Sequence, residues 1–162
     1  MVEMDLVAVR IELPGNTPVV LLREPTDTHR LLPIFIGQPE ATAIAFALDG
    51  VETPRPMTHD LLASMLTELN ATLDRVVVTA LSEGTFYAEL HITAGGRPHR
   101  VSCRPSDAFA LAVRVGCSIF VEDAVLDEAG IAEPVEEDEE PSEEVVEKFR
   151  EFIDNVSPED FG

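Results

Sequence analysis

The sequence has few of the residues that commonly build metal or redox sites. It contains two cysteines, Cys103 and Cys117, and they are not spaced as a CxxC pair. Two cysteines at this spacing argue against a structural zinc site built on thiolates, and they are typical of a protein from a reducing compartment. With 162 residues, the chain is long enough to bury a hydrophobic core without help from disulfides.

Long apolar runs and common catalytic signatures are also missing. No apolar run reaches the roughly 20 residues of a membrane-spanning helix. The N-terminal segment MVEMDLVAVRIEL has no basic region and alternates in polarity, unlike a signal peptide. There is no Walker motif and no GxGxxG, HExxH or GxSxG pattern. We therefore expect a cytoplasmic protein without a membrane partner. No common short motif indicates its function.

Basic residues are scarce and unevenly distributed. The chain has 11 basic against 31 acidic residues, a formal net charge of −20, and its single lysine is Lys148. Residues 133–162 alone contain 13 acidic and 2 basic residues. Because nucleic-acid affinity rests largely on neutralised phosphates, this charge disfavours tight, non-specific binding of DNA or RNA. It does not exclude a small cleft with a few arginines, which suit bidentate phosphate contacts.

Hydrophobic periodicity predicts seven strands and four helices within residues 1–132. The strands cover 4–13, 18–23, 30–36, 75–81, 85–93, 97–103 and 118–121. The helices cover 41–48 with an opening turn at 37–40, then 58–69, 105–115 and 123–129. Runs of strands joined by hairpins, with helices inserted between them, indicate an α+β fold with a mixed or mostly antiparallel sheet.

The predicted helices differ in their patterns. Helices 41–48 and 105–115 are apolar almost all round, so both are expected to be buried. Helix 58–69 has Thr58 as its predicted N-cap and an apolar stripe typical of an amphipathic surface helix. The stripe consists of Leu61, Leu62, Met65, Leu66 and Leu69.

The C-terminal part has a different composition from the 1–132 domain. Residues 133–144 are acidic, of low complexity and contain two prolines, which predicts a disordered linker. Residues 145–156 have the apolar spacing of an amphipathic helix, and 157–162 form a short tail. An isolated helix this short is marginal in water, so we expect it to dock on its own domain or on a protein partner.

Two polar segments precede helices and have the composition of a binding site. In the first, Arg55 is followed by His59 and Asp60 near a helix N-terminus, which suits an anion. His59 is then a candidate general base or acid, since histidine is the usual side chain for this role, and Asp60 a candidate metal ligand. The alternative is that these are ordinary first-turn and surface residues.

The second segment contains Arg104, Ser106 and Asp107 at the start of the 105–115 helix. Arg104 is able to clamp a phosphate, while Ser106 and Asp107 suit either a cation or a helix cap. The alternative is an Arg–Asp ion pair with a cap. Glu40, at the start of the other apolar helix, is either a metal ligand or an ordinary acidic residue favoured by the helix dipole.

Three motifs in this order and spacing resemble the bifunctional nuclease domain family, long listed as a domain of unknown function. They are LPIFIGQPEATAIA (32–45), RPMTHDLL (55–62) and CRPSDAFALAVR (103–114). The resemblance runs through about residues 4–131 and implies a compact α/β domain of bacteria and plants with nuclease activity on DNA and RNA. The arginine-rich composition and the acidic tail resemble actinobacterial members.

The resemblance also implies which residues form the site. The motif positions are Glu40, Arg55, His59, Asp60, Arg104, Ser106 and Asp107. For phosphodiester hydrolysis we expect His59 to activate water and Arg55 and Arg104 to neutralise the phosphate, with Asp107 as a further catalytic residue. Arg55, Arg104 and Ser106 would bind substrate. Glu40, Asp60 or Asp107 would hold Mg²⁺ or Mn²⁺. Family members commonly have an acidic and a small residue before Arg104, where this chain has Ser102 and Cys103, and this departure weakens the case for a metal.

A second function class is compatible with the same sequence. The domain is then a non-catalytic regulatory or protein-binding module that engages a protein partner through residues 133–162, since these residues are strongly acidic and end in a docking helix. Under either interpretation we expect a homo-oligomer.

Overall fold

The computed structural model describes residues 1–27 and 29–133. This part contains the strands β1 (Val2–Glu12), β2 (Thr17–Arg23), β3 (Arg30–Phe35), β4 (Ala71–Ser82), β5 (Thr85–Ala94), β6 (Arg97–Cys103), β7 (Ser118–Val121) and β8 (Ile131–Ala132). Its helices are α1 (Gln38–Leu48), α2 (Thr58–Glu68), α3 (Pro105–Val115) and α4 (Asp123–Ala129). Residues 134–162, with almost all of the predicted linker and the whole predicted helix and tail, lie outside the described residues, and so does residue 28.

The eight strands form one mixed sheet, which confirms the predicted α+β class. The strand order is β6-β5-β4-β7-β1-β2-β3-β8. The sheet consists of two antiparallel three-stranded units, β1–β2–β3 and β4–β5–β6, joined by β7. β7 pairs antiparallel with β1 and parallel with β4. No helix in the described ranges is long and apolar enough to cross a bilayer.

Two differences from the predicted strands have simple causes. β4 begins four residues earlier than the predicted start at Arg75, because a shift in register between Leu73 and Arg75 interrupts the alternation of side chains. β8 is missing from the prediction because it is only two residues long, too short to show a period, and it adds to the edge of β3. The other strand ends agree with the prediction to within two residues.

Helix α3 lies at the centre of the core, as predicted. Seven of its residues are buried, from Pro105 to Ala112, and the Phe109 side chain is fully enclosed. Buried aromatic and aliphatic side chains contribute most of the stability of such a core. The helix ends at Gly116, whose φ of 76° is the left-handed conformation that favours glycine at this position. The N-terminus of α3 is therefore held rigidly.

The predicted burial of α1 is wrong, and α2 differs from its prediction in two details. In α1 only Ala41 and Ile44 are buried, because its other side borders an open cleft. In α2 the N-cap is Met57 rather than Thr58, and four of the five residues of the apolar stripe face outward: Leu61, Leu62, Met65 and Leu69.

The inward face of α2 is polar or small rather than rich in leucine. It presents the buried His59, with Ala63 and Leu66 packed against the core. Because His59 lies on this inward face, its imidazole reaches Asp107 in the first turn of α3. The local packing thus positions a histidine where the pattern alone would have placed leucines.

Candidate active site

A cleft of about 470 Å³ runs along α1 and is bordered by the starts of α2 and α3 and by the end of α3 at Val113 and Arg114. The loop after α1, including Val51, Glu52 and Thr53, forms a further wall. All three helix starts that the sequence singled out thus border one space. The charged and titratable lining residues are Glu40, Glu52, His59, Asp60, Arg104, Asp107 and Arg114.

A continuous chain of hydrogen bonds joins three helices across this cleft. The His59 imidazole on α2 is hydrogen-bonded through Nε2 to Oδ1 of Asp107 on α3, at 2.9 Å. Nε of Arg104 donates to the other oxygen of Asp107 at 2.8 Å. Nη2 of Arg104 donates to Oε1 of Glu40 on α1, also at 2.8 Å. The Arg104–Asp107 ion pair, one of the two alternatives for this segment, is therefore present, and it is linked to Glu40 and His59.

Exposure differs strongly along this chain. The His59 side chain is 9% exposed and that of Glu40 is 14% exposed, whereas the Arg104 side chain is 65% exposed. Only the guanidinium therefore presents a large surface to an incoming ligand. The start of α3 has no side-chain cap, so Asp107 and Ser106 are not the capping residues that the sequence suggested.

The Asp107 carboxyl group is held in its ionised form. Burial acts to raise its pKa, but the hydrogen bonds from Arg104 and His59 outweigh burial and keep the pKa below the ordinary aspartate value. An ionised Asp107 accepts a hydrogen bond from Nε2–H of His59 and so leaves Nδ1 as the basic nitrogen.

The free ring nitrogen of His59 is in contact with solvent. Nδ1 has no hydrogen-bond partner within the described part of the chain. Every fully buried side-chain nitrogen or oxygen of that part has a hydrogen-bond partner. Because Nδ1 has none, it is not fully buried. The imidazole is therefore fixed by Asp107 on one side and accessible to water on the other.

Arg114 forms a second network behind the first. Its Nε donates to Oδ1 of Asp60 at 2.7 Å, Nη1 donates to the Ala110 carbonyl at 2.7 Å and Nη2 donates to the Ala43 carbonyl at 3.0 Å. The Arg114 side chain is only 11% exposed. One guanidinium thus ties α1 and the first turn of α2 to α3.

Asp60 has a structural position in this second network. Its other oxygen, Oδ2, accepts the backbone N–H of Met57 at 2.9 Å, the N-cap of α2. The hydrogen bond from Arg114, followed by that from the Met57 amide, lowers the pKa of Asp60. Both carboxylate oxygens of Asp60 are therefore occupied by the fold itself.

The structure brings together five of the seven predicted site residues: Glu40, His59, Asp60, Arg104 and Asp107. Arg55 is exposed and follows the loop that lines the cleft, without lining it. Ser106 is buried and lines a separate cavity on the far side of Arg104. Sequence reasoning missed Arg114, although a lone charge in an otherwise apolar helix was a usable signal.

The carboxylates expected to bind a metal ion do not converge on one point. Glu40 and Asp107 accept hydrogen bonds from Arg104, and Asp60 from Arg114. No group of three histidine, cysteine or carboxylate side chains among the described residues is placed to hold a metal ion. The residues as arranged do not fit Mg²⁺ or Mn²⁺, so a metal requirement stays a prediction and no chemical step below is derived through one.

Comparison with known proteins gives two consistent findings. A family model described as the bifunctional nuclease domain matches residues 20–134, a range that contains every predicted site residue. Two Mycobacterium tuberculosis proteins, the uncharacterized proteins MT1877 and Rv1829 from two strains, are each 51% identical to this chain over 163 aligned residues. The alignments cover 98% of this chain and 97% of each relative, in agreement with an actinobacterial type.

Proposed function

Since the chain belongs to the bifunctional nuclease domain family, we propose that it hydrolyses phosphodiester bonds of RNA or DNA in the cleft between α1, α2 and α3. One observation carries this proposal. The Asp107–His59 pair, with a solvent-accessible Nδ1, lies next to the exposed guanidinium of Arg104. A positioned base beside a cationic group is the arrangement that activates water for attack on a phosphate.

The chemistry follows from the hydrogen bonds. Asp107 holds the Nε2–H of His59, so Nδ1 accepts the proton of a water molecule as its oxygen forms a bond to phosphorus. The bond between phosphorus and the leaving oxygen breaks, and that oxygen takes a proton from the imidazolium or from solvent. The Arg104 guanidinium stabilises the negative charge on the non-bridging oxygens.

The charge of the cleft limits how substrate binds. Four carboxylates and two guanidinium groups line it, a formal net charge of −2. Such a lining attracts phosphate weakly, so substrate is held through few contacts. Arg104 is the first contact, and we assign the exposed Arg55, beside the cleft loop, as a second phosphate contact. Glu40 then orients Arg104 rather than touching substrate.

Cleavage assays on purified protein test this function. Single-stranded RNA and DNA are incubated with wild type, His59→Ala, Asp107→Asn and Arg104→Ala, with and without EDTA. Loss of the general base is expected to lower the cleavage rate about 10²- to 10⁴-fold. Arg100→Ala, an exposed position on β6, is the matched control and should cleave at the wild-type rate.

Two outcomes are decisive against the proposal. Equal cleavage by wild type and by a His59→Ala, Arg104→Ala double variant would identify a contaminating nuclease. Full activity of Asp107→Asn, which preserves the size of the side chain, would show that the carboxylate does not support the base. The EDTA arm separately tests the predicted use of Mg²⁺ or Mn²⁺.

A non-catalytic binding module is the second candidate. Its support is that Glu40, Asp60 and Asp107 are already paired with cations of the fold, as in a purely structural network. Under this alternative, the same substitutions alter the free energy of unfolding but no substrate is cleaved. Pull-downs with the full chain and with residues 1–133 then test whether the acidic C-terminal residues engage a protein partner.

A further inference from the structure

A second cavity, of about 380 Å³, lies on the other side of Arg104 from the cleft. It forms where the end of β3, the turn between β4 and β5, and the start of α3 meet. Its lining residues are Ile34, Phe35, Ile36, Gly37, Gly84, Thr85, Phe86, Arg104, Pro105 and Ser106. Of the residues that the structure describes, Arg104 alone lines both spaces, so a ligand bound at Arg104 lies close to both.

The lining of the second cavity is different in character from that of the cleft. Among the described residues, no carboxylate lines it, and Arg104 is its one charged side chain. Two phenylalanines contribute to it: Phe35 is 60% exposed, and Phe86 is partly buried and packs against the core. Exposing an aromatic ring to this extent leaves a large apolar surface in water, which a flat apolar ligand would cover.

We propose that the second cavity binds a nucleobase of single-stranded nucleic acid, stacked on Phe35, while the adjoining phosphate contacts Arg104. The class of ligand rests on the proposed function. An uncharged flat ring suits a carboxylate-free, aromatic-lined space, and a phosphate suits the exposed guanidinium at its border. The hydroxyl groups of Thr85 and Ser106 are available to the edge of the base.

Single-stranded substrate follows from the same geometry. A base in a duplex is stacked on both faces and paired at its edge, so it has no free face for an aromatic ring. A base in a single strand can leave its neighbours and enter the cavity at small cost. Because stacking replaces charge contacts, it also allows a strongly acidic protein to hold nucleic acid.

Binding rather than cleavage is the appropriate measurement. Fluorescence anisotropy is recorded with a short, labelled single-stranded oligonucleotide, and with an oligonucleotide of the same length in which every base is replaced by an abasic site. Stacking of one base is expected to make Phe35→Ala bind the normal oligonucleotide roughly 5- to 150-fold more weakly. Its affinity for the abasic oligonucleotide should match that of wild type.

Two control variants separate stacking from general effects. Phe35→Leu keeps an apolar side chain but lacks the aromatic face, so most of the loss should remain. Tyr87→Ala removes an aromatic ring that is 48% exposed but lines neither space, and it should bind as wild type does.

The proposal is overturned if Phe35→Ala binds the normal oligonucleotide as tightly as wild type, or if it weakens both oligonucleotides equally. It is also overturned if wild type binds neither. A protein that binds in a Phe35-dependent way but cleaves nothing would refute the nuclease and retain the base site. A protein that cleaves nucleic acid but binds it equally well after loss of the Phe35 ring would refute the base site and retain the nuclease.

An independent observation concerns the outward face of α2. Four large apolar side chains there form a continuous surface, which we call the α2 stripe: Leu61 (53% exposed), Leu62 (39%), Met65 (49%) and Leu69 (71%). Apolar patches of this kind on a monomer mark interaction sites. Between Pro56 and Leu73 the chain has two acidic residues, Asp60 and Glu68, and no basic residue.

We infer that the α2 stripe packs against the α2 stripe of a second copy of this chain. With a net charge of −20, two copies repel each other except through surface that carries little charge. The α2 stripe is such a surface, because Asp60 is neutralised by Arg114 and only Glu68 remains. A basic partner would find almost no acidic side chains to pair with on this face, whereas a second copy of this chain avoids charge repulsion there. Met65 also belongs to a residue type that is enriched at interfaces.

Light scattering after size-exclusion chromatography of the full chain tests this contact. Wild type is expected to have the mass of two copies, and Met65→Glu the mass of one. Leu13→Glu places the same charge at another exposed apolar residue, 57% exposed, and should keep the wild-type mass. A wild-type mass of one copy, or an unchanged mass for Met65→Glu, would overturn the inference.

Discussion

Replacing Arg114 should destabilise the domain more than replacing any exposed arginine. Arg114→Met keeps most of the packing volume but removes three hydrogen bonds, to Asp60, Ala110 and Ala43. A hydrogen bond to a charged group contributes about 1.5–3 kcal/mol, and the Asp60 side chain is 38% exposed, so its share falls at the lower end. With smaller contributions from the two carbonyls, we expect a loss of about 3 kcal/mol.

Urea unfolding at neutral pH measures this loss. Arg114→Lys should lose about 1–2 kcal/mol, because an ammonium group cannot reach all three acceptors in the planar geometry of a guanidinium. Arg100→Met, at an exposed position, should change the free energy of unfolding by less than about 0.5 kcal/mol. A decrease of less than about 1 kcal/mol for Arg114→Met would refute the view that this side chain ties three helices together.

Three further predictions follow from the same structure. The depressed pKa of Asp107 contributes stability that is present above the ordinary aspartate pKa of about 3.9 and is lost as pH falls through the lower folded value. In urea titrations the stability advantage of wild type over Asp107→Asn should therefore shrink below about pH 4. A Cβ atom at Gly37 would displace Oε2 of Glu40, the flexible end of a side chain that binds Arg104, so Gly37→Ala should lower cleavage no more than Glu40→Ala, with no further loss in the double variant; additive losses would contradict this. Burial raises the pKa of Cys103 and of Cys117 to about 11, and nearby carboxylates add to this effect. Both thiols should react slowly with a disulfide reagent at neutral pH and rapidly in urea, and fast labelling of folded protein would contradict the burial.

Much of the fold could be read from local patterns. The two runs of strands, the buried α3 and the fold class depend on periodicity and turn residues that lie close together in sequence, and all are confirmed. α3 was predicted correctly because its residues are apolar on every side. Local patterns do not predict which face of a helix is buried when either face could pack against the core.

The orientation of α2 shows why the rest could not be predicted. The strongest apolar stripe, with Leu61 and Met65, indicated the buried face, yet the buried face holds His59 and Ala63. The observed orientation lets His59 form a hydrogen bond with Asp107, a residue 48 positions away in the chain. A long-range polar contact leaves no periodic signal in one sequence. For the same reason, the convergence of the three helix starts could not be predicted from the sequence.

The short strand β7 has a consequence for how the chain reaches this structure. β1 and β4, 11 and 12 residues long, have no backbone pairing with each other and are bridged by the four residues of β7. Each three-stranded unit can form from neighbouring residues, but the bridge needs Val2 to meet Val121. Such distant pairing is slow, so this step should limit the rate of folding. A nascent chain that stops before Ser118 presents two long, unpaired strand edges, which are templates for aggregation. The complete sheet is therefore possible only after the ribosome has released β7 and β8 at the end of the domain.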